Sequence, residues 1–300
     1  MGSELNFSFE KDESILLNKY LKDVLKLSSR LIRGAIREDR IMVNGKVARL
    51  RYELKKGDLI QVFIQKEEEQ NIEPEKMDLD IIYEDVDIIV INKSPGMVVH
   101  PTKRFQSGTL ANGLLYYFKS KGENCIVRLV SRLDMDTSGL ILIAKNQYSH
   151  MALAREMSGE SFKKGYMAVA HNKLSPNEGT MDYPIYRVGE GTIKRVIDPR
   201  GQESITHYKV IEEYEKGSLI QLRLETGRTH QIRVHLSHIG NPLYGDILYG
   251  EAYDDSSLIS RQALHANTLS FPHPRTGKII NLECGLPKDI KNLIEKLKNS

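Results

Sequence analysis

Two cysteines in 300 residues, Cys125 and Cys284, lie far apart and in apolar contexts. They read as small buried residues of a reducing compartment, which sets aside a disulfide framework or a redox centre. No uninterrupted apolar run is long enough to span a bilayer. The segment Met1 to Asp12 is polar and carries three acids, unlike a signal peptide, so a cytoplasmic location is expected. Internal repeats and low-complexity tracts are also missing, and the net charge is only +3.

What is present suffices for a full core without metal or disulfide staples. Hydrophobic residues make up 40% and charged residues 28%, ordinary for a globular chain. The length fits one large domain plus a small one, or two medium ones. The charge is unevenly placed. Lys26 to Lys56 holds ten Lys/Arg against three acids, whereas Glu67 to Asp80 holds seven acids and one lysine. So sharp a step marks separate modules, the basic one suited to phosphates.

Leu16, Leu17, Tyr20, Leu21 and Val24 recur at helical spacing, predicting a first helix. Ser28 or Ser29 can cap a second. On it Arg30, Arg33 and Arg37 share one face beside apolar Leu31, Ile32, Ala35 and Ile36. Asn44-Gly45 between β-prone residues signals a hairpin, and Gly57-Asp58 a turn before a strand over 59–64. Residues 14–66 resemble the S4 RNA-binding domain through Ser29-Arg30, the basic helix, Val43-Asn44-Gly45 and Lys56-Gly57-Asp58. An acidic linker is expected over 67–80, and a catalytic domain over 81–300.

In that larger part, strands are expected over 81–84, 88–92, 126–130, 140–144, 164–170, 206–212 and 219–224. Helices are expected over 110–118, 148–157 and 230–239, the last stopped by Gly240 with Pro242 close behind. Strands outnumber helices and the connections are irregular. The fold class is therefore α+β: a mixed, mainly antiparallel sheet with flanking helices.

Two segments are dense in functional groups. Arg132-Leu133-Asp134-Met135-Asp136-Thr137-Ser138-Gly139 joins two apolar strands, although an Asx-turn with a hydroxyl cap would also explain it. Glu225 to His235 places Arg228 and Arg233 beside a helix N-terminus, with Thr229 as candidate N-cap. The macrodipole disfavours cations there, so these arginines need a carboxylate or a phosphate.

Together the two segments resemble the RluA-type family of RNA pseudouridine synthases. Its Arg-Leu-Asp-x-x-Thr-Ser-Gly signature is matched at Arg132 to Gly139. Lys-x-Tyr is matched at Lys164 to Tyr166, and Thr-Gly-Arg-x-His-Gln-Ile-Arg-x-His at Thr226 to His235. Further matches are Pro95 to Pro101, Gly245-Asp246, Leu264 to Ala266 and Phe271 to Pro274; Ser131 departs from the histidine of many relatives. With an S4 domain ahead, the chain looks like members that modify large-subunit (23S) ribosomal RNA or its precursor.

The resemblance implies isomerisation of uridine without cofactor or metal, in a chain expected to be a monomer. Asp134 would be the nucleophile, and Arg233 its pairing arginine. A nucleophilic carboxylate must be ionised at neutral pH; burial opposes that charge and a guanidinium favours it. A stacked uridine must flip out to be reached. Arg132 would fill its place and Tyr166 would pack on the uracil ring, its phenol a weak candidate base. Thr137, Arg228 and the S4-like Arg30, Arg33 and Arg37 are the further RNA-binding candidates, with Leu224 or Ile232 as apolar pocket surface.

Other readings stand beside this one: a transfer-RNA target, or a non-catalytic RNA-binding or ribosome-assembly factor. Metal binding by His230, His235 and His238 is disfavoured, since their spacings do not place all three on one helix face. A two-metal hydrolase built on Asp134 and Asp136 is weakened because alternate residues of an extended segment point opposite ways.

Overall fold

The computed structural model describes residues 4–64, 70–157, 159–189 and 191–299. The end of the S4-like stretch (65–66) and the start of the acidic linker (67–69) lie outside the described residues.

The N-terminal part has its own core, built from Leu5, Phe9, Leu17, Leu21, Leu31, Ile60 and Val62 among others. Four strands form one sheet, with Leu59–Phe63 between Glu4–Ser8 and Ile41–Val43. Asn44 and Gly45 both take positive φ, 52° and 74°, the twist a two-residue hairpin needs. Ser28 caps helix Ser29–Arg37 by accepting from the Leu31 N–H at 3.1 Å. Arg30, Arg33 and Arg37 remain exposed on its outer face.

The single first helix expected from Leu16 to Val24 is broken up. Ile15–Leu16 pairs as a strand with Glu53–Leu54, and a turn at Leu17–Lys19 runs into a wider π-type coil over Tyr20–Val24. Strand pairing takes the early backbone groups, while Leu17, Tyr20 and Leu21 still bury the apolar stripe.

A ten-stranded, mainly antiparallel sheet forms the rest. Its parallel pairing joins Ser138–Ala144 to the start of Leu264–Pro272. All seven residues of Ser138–Ala144 are buried, because helix Leu110–Ser120 covers one face and Leu153 with Phe162 the other. Helix Gln231–His238 seats Ile232 and Leu236 on Tyr166, Leu222 and Leu264. Helix Lys288–Lys298 closes the opposite side over Val169 and Leu219.

The strand expected over 126–130 contracts to Arg128–Leu129. The Gln70 side chain takes the Val127 N–H at 2.9 Å, and His150 bonds the Leu129 carbonyl at 3.2 Å. Side chains thus satisfy backbone groups that a ladder would have used. Residues 70–80 form no helix or strand but lie along helix Leu110–Ser120, where the Asn112 amide donates to the Glu73 carbonyl at 2.7 Å. No helix among the described residues is long and apolar enough to cross a membrane.

Candidate active site

Asp134 sits in the connection that ends at strand Ser138–Ala144, with its side chain 28% exposed. The turn there is closed by backbone alone, the Thr137 N–H donating to the Asp134 carbonyl at 3.2 Å. The carboxylate is therefore not spent on an Asx-turn. Among the described residues it accepts one hydrogen bond, from Arg233 Nη1 at 3.2 Å, and His230 Nε2 lies 3.9 Å away.

Buried cations hold this connection from behind. Lys93, 1% exposed, donates from Nζ to the carbonyls of Ser94, Met97 and Met135 at 2.8, 3.0 and 2.8 Å. Burial pulls its ammonium down to about 8, while the charges of Asp136 and Asp134 oppose that pull. Arg261 forks onto Asp289 at 2.7 and 3.1 Å and reaches the Asp136 carbonyl with Nη1 at 3.0 Å. Thr137 is buried and accepts from the Gln262 amide at 3.3 Å. Gly139 follows with φ of 112°, and a Cβ there would stand 2.2 Å from the Ala266 carbonyl oxygen. Only glycine lets the two parallel strands approach so closely.

Helix Gln231–His238 brings the opposing cation. Thr229 is not its N-cap: His230 holds that position in the left-handed region, φ 59°, without a side-chain cap. The Gln231 side chain does part of a cap's work by accepting the Arg228 N–H at 2.9 Å. Arg233 needs its anion and has two. Nε and Nη2 fork onto Asp246 at 2.7 and 2.8 Å, leaving Nη1 for Asp134. Burial works against the guanidinium charge, but Asp246 and then Asp134 outweigh it and hold Arg233 above its ordinary value. Beneath it, at 5.1 Å, lies the ring of Tyr249, whose hydroxyl bonds His230 Nδ1 at 2.9 Å. Burial lowers the His230 imidazole, the Asp134 charge opposing.

A cavity of about 420 Å³ opens in front of Asp134, walled by Arg132, Lys164, Tyr166, Leu224 and Arg228. An adjoining pocket of about 60 Å³ shares Asp134 and Tyr166 with it and adds Thr137, Ile232 and Arg233. This is ordinary size for a site that encloses one small group. Tyr166 is buried, and burial followed by the Asp134 charge pushes its phenol above the ordinary value. Lys164 is lowered by burial. Arg132 is exposed at the rim and, among the described residues, carries no ion pair. A larger cavity, about 560 Å³, includes the cross-strand row Gly165, Arg223 and His207. That row is one residue out of step with Tyr166, hence on the other face of the sheet.

The sequence-predicted residues Arg132, Asp134, Thr137, Tyr166, Arg228 and Arg233 all line these connected cavities, as do Leu224 and Ile232. Arg30, Arg33 and Arg37 do not: they lie on the exposed face of helix Ser29–Arg37, whose apolar side joins the N-terminal core. Asp246, Lys93 and Arg261 were missed as functional residues; Gly245-Asp246 was legible only as a motif match. His235 is occupied by Thr206 and the Tyr183 carbonyl at 3.0 and 2.9 Å, and His238 packs edgewise on Tyr183. Among the described residues the grouping with metal-ligand spacing is Asp85, Asp87 and His273. Arg275 already forks onto Asp87 at 2.7 and 3.0 Å, and His273 bonds Asp85 at 2.9 Å.

Known proteins resemble this chain over most of its length. Residues 87–238 match a family model described as RNA pseudouridylate synthase, and residues 16–60 match the S4 domain. An uncharacterised RNA pseudouridine synthase of Bacillus subtilis (strain 168) is 42% identical over 95% of this chain and 94% of its own length. The ribosomal large subunit pseudouridine synthase D of Yersinia pestis is 38% identical over 99% and 96%. The solved structure of human RNA pseudouridylate synthase domain containing 4 superposes with a TM-score of 0.60 at 25% identity, covering 73% of this chain and 92% of that one.

Proposed function

This chain belongs to the RNA pseudouridylate synthase family, and we propose that it isomerises specific uridines of large-subunit ribosomal RNA with Asp134 as nucleophile. The observation that carries the reading is the single shared guanidinium: Arg233 is anchored on Asp246 and presents its remaining edge to an Asp134 carboxylate that faces an open cavity. A carboxylate so placed is braced by one guanidinium contact and still faces the space where a nucleotide can sit. In the reaction the C1′–N1 bond breaks, the uracil turns, and a C1′–C5 bond forms. The proton lost from C5 is balanced by one gained at N1, so no redox partner enters.

In this reading Arg132, exposed at the rim, takes the place of the flipped base, and Arg228 and Thr137 help seat the nucleotide. Tyr166 packs on the ring. Its phenol, raised by burial, is a scarce phenolate at neutral pH, which favours packing over proton removal. The chain divides into an RNA-binding part over 14–66, a connecting segment over 67–80 and a catalytic part over 81–300, with Arg30, Arg33 and Arg37 contacting RNA phosphates. The ribosomal target is supported by relatives named for the ribosomal large subunit.

The test is pseudouridine mapping of total RNA with and without the gene. It is paired with tritium release from C5-tritiated ribosomal RNA by the pure protein in EDTA. Loss of a large-subunit pseudouridine and EDTA-resistant release support the proposal. A missing pseudouridine in transfer RNA would move the target, and no release from any RNA would overturn the activity.

A further inference from the structure

Beside the Asp134 cavity lies a second one of about 370 Å³, walled by Tyr186, Arg187, Arg195, Arg200, Arg228 and Thr229. Three of its arginines come from the excursion between strands Glu178–Asp182 and Ile205–Glu213. There Ile185–Tyr186 pairs with Val196–Ile197, and Ile185 is locked to Gln202 by reciprocal backbone bonds of 2.9 Å. The fourth, Arg228, also walls the Asp134 cavity.

The charges are poorly compensated. Arg200 is neutralised by a two-bond fork onto Asp198, 2.9 and 2.7 Å, and rests on the Tyr186 ring at 4.6 Å. The other three have no carboxylate within ion-pair distance among the described residues. Arg195 uses Nη1 on its own loop, at the carbonyls of Thr192 and Ile193, 3.1 and 2.9 Å. Arg228 uses Nε on the Glu203 carbonyl at 3.0 Å. Arg187 makes no side-chain hydrogen bond there. A guanidinium has five N–H donors, so most of the donors around this cup are unspent. Converging cations with unspent donors repel one another and attract an anion, and planar guanidinium forks match phosphate oxygens.

The cup is also tied to the catalytic groups. The Arg195 backbone N–H donates to Tyr249 Oη at 2.8 Å, and that hydroxyl bonds His230, the neighbour of Asp134. A uridine seated against Asp134 carries its own chain onward in both directions, and the shared wall at Arg228 and Thr229 leads into the cup. We propose that Arg187, Arg195 and Arg228 bind a backbone phosphodiester of the RNA strand flanking the target uridine. This rests on the proposed RNA substrate and adds a phosphate subsite to it.

The experiment uses the full chain and large-subunit ribosomal RNA from cells lacking the gene, with binding measured across a salt series. Arg187→Gln is the principal variant, since this exposed side chain supports nothing in the fold. Lys278→Gln, an equal charge loss on the exposed turn after Leu264–Pro272, is the control. Losing that one phosphate contact altogether should flatten the slope of log Kd against log salt by about 0.7 to 0.9, so Arg187→Gln should remove part of that amount and Arg187→Gln/Arg195→Gln most of it. Arg187→Lys should keep most of the slope. Equal slopes for Arg187→Gln, the double variant and Lys278→Gln would overturn the subsite. Because the slope comes from binding, that result stands whether or not the wild type turns over. Absent turnover on every RNA would instead strike the proposed function.

Discussion

Arg233 holds Asp246 with Nε and Nη2 at 2.7 and 2.8 Å and reaches Asp134 with Nη1 at 3.2 Å, so one guanidinium serves a buried anchor and an open carboxylate. Asp246 is 1% exposed at its side chain and Asp134 28%. The buried acid fixes the arginine, and the arginine then sets the field at the open carboxylate.

Removing the acid from Asp134 tests the nucleophile. Asp134→Asn should lose isomerisation while folding and RNA binding stay near wild type, since the amide keeps the shape but not the charge. Turnover above a few per cent of wild type in a tritium-release assay would remove Asp134 from that role.

Arg233→Met should damage both activity and stability. It strands Asp246 as a buried, unpaired charge, a loss of about 3 to 5 kcal/mol. Adding Asp246→Asn should recover much of that stability in thermal melts without restoring turnover. Recovery of activity along with stability would show that Arg233 acts only through the fold. Arg233→Lys should rescue only in part, because an ammonium cannot fork onto Asp246 while reaching Asp134.

Lys93 gives a pH signature. Its ammonium is held at about 8, below its ordinary 10.5, so the folded state binds fewer protons than the unfolded state between those values. Stability from this group therefore rises as pH climbs through that window. Activity should do the opposite, because a neutral amine has two donors for the carbonyls of Ser94, Met97 and Met135. A fall in rate centred near pH 8 without loss of melting temperature is expected. Lys93→Met should lower the rate about 10- to 100-fold through a shifted loop and erase that alkaline limb. A variant that keeps the limb would assign it elsewhere.

The basic helix is testable without truncation. Replacing Arg30, Arg33 and Arg37 together by Gln should weaken RNA binding and flatten its salt dependence by about 0.7 to 0.9 log units for each phosphate no longer neutralised. An unchanged slope would mean that the exposed arginine row is only a solvated face.

Local chemistry was readable along the chain. Asn44-Gly45 specifies its turn by positive φ, Ser28 its cap by one short-range bond, and Gly240, at φ 83°, the end of helix Gln231–His238. The stretches Arg132 to Gly139 and Thr226 to His235 each carry their functional groups within about ten residues, so they were legible as units. Thr229 misled as a cap because its neighbour His230 adopts the left-handed conformation, held by Tyr249 from 19 residues away.

Folding alone supplied Arg233 with its second anion, Asp246, and decided what would brace the Asp134 loop. Asp246 lies 13 residues from Arg233, Met135 lies 42 from Lys93, and Asp136 lies 125 from Arg261. Two of those three contacts end on backbone carbonyls, which every residue possesses and no side-chain pattern can single out. The arginine cup depends likewise on the Ile185–Gln202 bridge and the Tyr249 hydroxyl placing separated segments side by side. The candidate reactive groups are written into two short motifs; packing of distant strands determined which of them face one another.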